Sequence, residues 1–146
     1  GASGIDGTLS MALGISRIMY PLLLVTGDLS FLYDLNGFLI ENSEQLNLTV
    51  LLIDNNGGNI FNRLYKNNLK DEEIKRLFVM PKNVDFKKLA EANNVIFKDV
   101  LKLNDLKDSL EWSLLISKVV ILRLKVDSIS EIDERKNLLN KIYQDQ

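Results

Sequence analysis

The 146 residues include no cysteine and no histidine. Without thiols there are no disulfides, no thiolate nucleophile and no cysteine zinc site. Without imidazole, the usual serine and cysteine triads and the histidine zinc motifs are excluded as well. Proline occurs only twice, and the chain carries no Pro/Gly linker, internal repeat or low-complexity segment. No apolar run approaches the roughly 18 residues that a membrane-spanning helix needs, and no secretory signal pattern is present. Excess charge is lacking too. Eighteen Lys and Arg against twenty Asp and Glu leave a net charge of −2, which gives no electrostatic case for binding nucleic acid or an anionic membrane. Any catalysis must therefore rest on carboxylates, amides, backbone dipoles or a cofactor that brings its own reactive carbon.

What is present suits one α/β domain over residues 1–146, long enough to bury a real core. Apolar residues from Ile5 to Ile18 recur near helical spacing, so residues 5–18 read as a helix. Pro21–Thr26 and Leu48–Ile53 are short apolar runs, read as buried parallel strands. Phe31–Ile40 supplies a helix between them, with Ser30 as its N-cap. Strand, helix and strand in this order make a βαβ unit. Beyond it, residues 62–70 read as a mobile, Asn-rich loop and Asp71–Phe78 as a short helix. Asp85 caps a helix over Phe86–Asn93, and a strand follows near Val95–Phe97. Asn104 caps a helix over Asp105–Ser117, and Lys118–Val126 forms the last strand. Ser128 with Glu131, or Ser130 with Asp133, then opens a closing helix to about Tyr143. The expected fold is a doubly wound, mainly parallel sheet with helices on both faces. The Gly1-Ala2-Ser3-Gly4 start, with no initiator Met and no strand before it, reads as a piece of a longer protein that lacks N-terminal strands of that fold.

Chemistry concentrates between Gly27 and Phe61. Open α/β sheets bind ligands beyond the carboxyl ends of their strands, and each apolar run here ends in oxygen donors and flexible backbone. Asp28 offers a carboxylate and Asn55 a side-chain oxygen, with twenty-six residues between them. Gly57 and Gly58 allow close backbone approach, and the helix following Ser30 directs amides towards a phosphate. Magnesium takes oxygen ligands in near-octahedral array and shares them between protein and substrate phosphates, so the set suits a metal-bridged diphosphate. On spacing alone, two ordinary βα turns account for these residues equally well. Ile5, Ile60, Phe61 and Leu64 read equally as core residues and Asp6 as a helix N-terminal charge. The run Lys70–Arg76 reads as a solvated helix face, and Trp112 as helix packing.

The surrounding words narrow the choice. Gly27-Asp28, twenty-six residues and Asn55 resemble the thiamine-diphosphate motif. Four further words occur in order: Gly1-Ala2-Ser3-Gly4-Ile5-Asp6-Gly7, Gly27-Asp28-Leu29-Ser30 with Asp34-Leu35-Asn36, Asn55-Asn56-Gly57-Gly58 with Ile60-Phe61, and Met80-Pro81-Lys82-Asn83-Val84-Asp85-Phe86. Together they resemble the C-terminal, diphosphate-binding domain of the 2-succinyl-5-enolpyruvyl-6-hydroxy-3-cyclohexene-1-carboxylate synthase family of the menaquinone and phylloquinone pathways. The resemblance implies that Asp28 and Asn55 ligate magnesium (or manganese) by side chain and Gly57 by its carbonyl. It places Leu29, Ser30 and Gly58 around the cofactor, and Ile5 as the wedge that bends thiamine diphosphate. Ile60, Phe61 and Leu64 then line the substrate side. It implies decarboxylation of 2-oxoglutarate and addition of the resulting succinyl-semialdehyde carbanion to isochorismate, in a cytoplasmic homo-oligomer (dimer or tetramer) whose site lies between subunits. Asp54 stands where many members carry another asparagine.

Other thiamine-diphosphate enzymes, such as acetolactate synthase or a 2-oxoacid decarboxylase, share Asp28 and Asn55 but not the first and last of these words. A non-catalytic nucleotide-binding or interaction module is the reading from another class, although neither a dinucleotide fingerprint nor a Gly-Lys-Ser phosphate loop occurs. The resemblance also implies that no catalytic side chain lies in this chain, since the family's activating glutamate comes from another domain of a partner subunit. The first two helices are apolar enough to be buried between subunits, and their exposure in the isolated chain favours self-association. The chain alone is accordingly expected to be inactive. Turnover by the purified chain, supplied with both substrates and the cofactor, would overturn that expectation.

Overall fold

The computed structural model describes residues 4–39, 46–60, 70–79, 83–127, 134–135 and 137–142. The chain divides into two compact units, Gly1–Asp54 with Asn83–Lys125, and Asn55–Lys82 with Val126–Gln146.

The first unit is built on four parallel strands: β1 (Leu22–Gly27), β2 (Leu48–Asp54), β3 (Ile96–Val100) and β4 (Val119–Lys125), in the order β1-β2-β4-β3. The two interior strands are the most apolar, with Leu48–Leu52 and Val119–Leu122 buried without interruption. Such runs have no solvent face, so both sides of the sheet must be covered. On one side Leu48, Val50, Leu52, Val119 and Ile121 pack against Leu9 and Leu13 of α1 (Thr8–Ile15), Phe31 of α2 (Asp28–Tyr33), and Phe86 and Ala90 of a later helix, Phe86–Ala92. On the other, Leu51, Val120 and Leu122 meet Leu106 and Leu110 of a helix over Leu106–Leu114. A doubly wound parallel sheet with helices on both faces is thus the observed fold. Phe31 sits at the centre of the larger core, edge-on to Phe38 at 5.9 Å between ring centroids and tilted against Phe86 at 6.1 Å.

Several elements differ from their expected bounds, each for a local reason. The first helix begins at Thr8 rather than Ile5, because Gly7 has φ 75° and its left-handed backbone breaks the helical path. It ends at Ile15, where the Ser16 hydroxyl donates to the Leu13 carbonyl at 2.8 Å. The helix expected over 31–40 starts earlier, directly after extended Gly27, and gives way to a 3-10 segment at Leu35–Leu39. Ser30 is therefore not its N-cap and lies inside the first turn. Asn104 is not a cap either, since it lies within a 3-10 turn (Leu103–Asp105) that leads into the helix at Leu106. The third strand runs on to Val100. Asp85 does cap its helix, accepting from the Lys88 amide at 3.1 Å. That hydrogen bond holds the Asp85 carboxyl below its ordinary value of 3.8, so its contribution is complete above that range and is lost as pH falls through the lowered value. Trp112 is partly exposed, with the Lys98 ammonium 5.0 Å from its ring centre.

In the second unit, α3 (Asp71–Ile74) passes into a π-helical turn at Lys75–Val79, with Ile74 and Val79 buried. With α3 placed, the helices over Phe86–Ala92 and Leu106–Leu114 are α4 and α5. Residues 134–135 and 137–142 are helical, within the expected closing helix. Its proposed caps at Ser128–Asp133, the loop over 62–69 and the Met80-Pro81-Lys82 word lie outside the described residues. Among the described residues no helix is long and apolar enough to cross a membrane.

Gly37 marks the tightest approach in the first unit. A Cβ there would meet the Ser10 hydroxyl at 2.9 Å, the Ser10 nitrogen at 3.2 Å and the Leu13 Cδ1 at 3.3 Å. Gly37→Ala is expected to destabilise the protein by about 1–3 kcal/mol through overpacking, measured as a lowered denaturant midpoint with an unchanged slope.

Candidate functional site

The parallel register brings the carboxyl ends of β1 and β2 side by side. Gly27 pairs with Ile53, so the next residues of the two strands are Asp28 and Asp54. Asp28 is the first residue of α2 and only 5% exposed. Its carboxylate accepts the Leu29 amide at 2.8 Å, and a negative charge in a helix's first turn suits the helix dipole. A buried carboxylate is costly unless paired, hydrogen-bonded or bound to a metal, and the Leu29 amide offsets part of that cost here.

Ser30 and Asp34 connect α2 to the glycine-rich segment ahead of α1. The Ser30 hydroxyl donates to the Ile5 carbonyl at 3.3 Å and lies 3.3 Å from the Thr8 hydroxyl. Asp34 takes the capping role that Gly7 has no side chain to perform. Its carboxylate accepts the Ser10 amide at 2.7 Å and the Ser10 hydroxyl at 2.9 Å. Ile5 is thereby tethered by its backbone while its side chain stays 43% exposed. It is neither helical nor a core residue, and Asp6 also precedes the helix rather than charging its first turn.

The second unit holds the other expected donors. Asn55 follows directly on β2, and its Oδ1 is buried with no hydrogen-bond partner. The chain then turns through left-handed Asn56 (φ 62°) and Gly57 (φ 116°), a course for which glycine is suited. The Gly57 carbonyl accepts the Asn59 amide at 2.8 Å, the Gly58 amide donates to the Val79 carbonyl at 2.7 Å, and the Asn59 side-chain amide donates to the Asn55 carbonyl. Gly57 and Gly58 are buried, whereas Ile60 is 58% exposed. Phe61 and Leu64 lie outside the described residues.

Among the described residues no group of three Asp, Glu, His or Cys is placed to hold a metal ion. One feature was missed in the sequence. Arg123, on the larger-core side of β4, binds Asp99 with both arms of its guanidinium, Nε to Oδ1 at 2.6 Å and Nη2 to Oδ2 at 3.0 Å. Its Nη1 lies 3.7 Å from the Asp54 carboxylate. The signal was a lone cation in the apolar run Val119–Leu124.

Comparison with known proteins identifies the family. Residues 2–123 match the family model of the thiamine pyrophosphate enzyme C-terminal TPP binding domain. The 2-succinyl-5-enolpyruvyl-6-hydroxy-3-cyclohexene-1-carboxylate synthase of Prochlorococcus marinus strain MIT 9312 is 62% identical over 142 residues, which is 97% of this chain and 24% of that protein. Its counterpart in strain MIT 9215 is 59% identical over the same shares. The chain thus spans about a quarter of the length of these curated relatives. Among solved structures, benzoylformate decarboxylase from Polynucleobacter necessarius superposes with a TM-score of 0.64 at 17% identity, over 83% of this chain and 23% of that one. That likeness is one of fold.

The tether on Ile5 gives a stability prediction. Asp34→Ala removes both bonds to Ser10 and is expected to cost about 1–2 kcal/mol, the scale of a lost N-cap, read from chemical denaturation. Ser30→Ala is expected to cost less than about 1 kcal/mol, as its bonds are long and part-exposed.

Proposed function

Since the chain belongs to the family of thiamine pyrophosphate enzyme C-terminal TPP-binding domains, we propose that it is the diphosphate- and magnesium-binding part of a cytoplasmic synthase that decarboxylates 2-oxoglutarate and joins the remaining fragment to isochorismate. The substrates follow from the name of the relatives that are 59–62% identical. The observation that carries the metal-binding reading is Asn55 Oδ1. A buried amide oxygen without a partner loses the free energy of a hydrogen bond to water, and a bound cation restores it. The proposed donors, the Asp28 carboxylate, the Asn55 amide oxygen and the Gly57 carbonyl, are of the oxygen chemistry that a hard divalent ion takes. Magnesium or manganese would meet one protein charge here and take its remaining ligands from the diphosphate and water.

Each residue then has a task. Asp28 supplies the negative charge, and Asn55 and Gly57 supply neutral oxygens, so the ion keeps positive charge for the diphosphate. Leu29, Ser30 and Gly58 border the phosphates. Ile5, tethered through its carbonyl to Ser30, offers an apolar side chain to the rings. Ile60 offers another to the substrates, with Phe61 and Leu64 as its proposed companions. Thiamine diphosphate, when bound, supplies the nucleophilic carbon and electron sink that a chain without His or Cys does not possess. The activating carboxylate belongs to another domain of a partner subunit in a homo-oligomer. The chain's own residues bind, orient and keep water from the site.

The test is thermal denaturation of the full-length protein with thiamine diphosphate, with and without magnesium. A ligand at one hundred times its Kd adds about 2.7 kcal/mol to stability, so a rise of several degrees is expected, dependent on magnesium and lost in Asp28→Ala. Asn55→Ala is expected to lose the same response while leaving the cofactor-free melting temperature unchanged or higher, because an orphaned acceptor is removed. Consumption of isochorismate, rather than formation of acetolactate, is the expected activity. A magnesium-independent rise, or none, would overturn the reading of the site.

A further inference from the structure

Two carboxylates stand at neighbouring strand ends, Asp28 after β1 and Asp54 closing β2. Only Asp28 has a part in the proposed metal site, and Asp54 is also largely hidden from water, with its side chain 10% exposed. Left uncompensated, a second carboxylate at this edge would do two things. It would compete for the cation as a charged oxygen donor, and it would repel the diphosphate, since like charges a few ångströms apart in a part-buried site interact strongly.

Arg123 addresses Asp54. From β4, the other neighbour of β2, its guanidinium reaches the Asp54 carboxylate at 3.7 Å while its remaining edge is clamped by Asp99 at 2.6 and 3.0 Å. The group is fixed on a third side by rings, with its central carbon 5.4 Å from the Phe97 centroid and 5.9 Å from that of Phe86. Its side chain is 14% exposed. A planar cation held on three sides has little freedom to follow Asp54 elsewhere, so the carboxylate is attracted to a fixed point over the β4 side of the sheet, away from β1. The Arg123 charge, shared with Asp99, also offsets part of that of Asp54.

We propose that Arg123 is a positioning residue for the cofactor site: it holds Asp54 towards β4 and offsets part of its charge, so that Asp28 is the one carboxylate presented to the metal and diphosphate at the ends of β1 and β2. This inference rests on the metal-diphosphate reading above and adds a residue to it.

The test uses the full-length protein, with thiamine diphosphate titrated at saturating magnesium and binding read from the melting temperature. Arg123→Met is expected to raise the half-saturating concentration about tenfold, the scale of one uncompensated nearby charge, and the defect is expected to shrink as salt is raised. Asp54→Asn in the Arg123→Met background removes the freed carboxylate and is expected to restore the wild-type value to within about twofold. Loss of packing on Phe86 and Phe97 would not be rescued in this way. Arg123→Gln serves if Arg123→Met does not fold, with the same weakening and the same rescue expected. Unchanged half-saturation, or a weakening that Asp54→Asn does not reverse, overturns the inference. Failure of the wild-type protein to bind thiamine diphosphate overturns the site reading beneath it.

Discussion

The parallel pairing of β1 and β2 with β4 is the constraint on which the first unit depends. Parallel strands all point their carboxyl ends to one edge, and the interior strands here are buried on both faces. Helices must return the chain across the sheet, and those helices fill the two cores. Polar chemistry is thereby excluded from the middle of the sheet and gathers at the strand ends. Asp28, Asp54, Asp99 and Arg123 all lie at or near that edge, and within the buried layer the Thr49 hydroxyl of β2 donates to Ser113 of α5 at 3.0 Å.

The local backbone at that edge follows from a few small residues. Gly27 is extended and lets α2 start at Asp28 without a capping side chain. Gly7 turns the chain left-handed into α1, and the cap it lacks comes from Asp34, twenty-four residues distant from Ser10. One short helix therefore carries the proposed metal ligand and, through Ser30 and its following Asp34, the groups that hold the segment bearing Ile5. In the second unit, Asn56 and Gly57 turn the chain so that amide and carbonyl oxygens, rather than side-chain charges, are offered. In the proposed site, a chain without histidine or cysteine would hold the ion by one carboxylate and neutral oxygens, leaving the cation's charge available to a phosphate.

Arg123 shows the electrostatic counterpart of that economy. The edge holds more carboxylates than the proposed ion uses, and two of them, Asp54 and Asp99, share one cation. A guanidinium is suited because its fork engages Asp99 in two directions and still has an arm for Asp54. The rings of Phe86 and Phe97, 5.9 and 5.4 Å from its central carbon, allow that cation to sit in a largely apolar layer.

The apolar runs at Leu48–Ile53 and Val119–Leu122 declared their strands by composition alone, because strands buried on both faces must be apolar throughout. Gly27-Asp28 and Asn55-Asn56-Gly57-Gly58 marked the ends of β1 and β2 because helix and turn starts demand particular small and polar residues. Asp85 was legible as a cap for the same reason. Other features were decided by residues far apart in the chain. Nothing local distinguishes Ser30 the N-cap from Ser30 the tether of Ile5, since the difference lies in a carbonyl twenty-five residues away. Nothing in the run Val119–Leu124 says what its single arginine meets, because Asp54 and Asp99 reach it only through strand order and register. Local sequence determined which segments are strands and which turns are special, through backbone preference and burial. Tertiary structure alone decided which charges face one another, because a parallel sheet joins residues that the chain itself keeps apart.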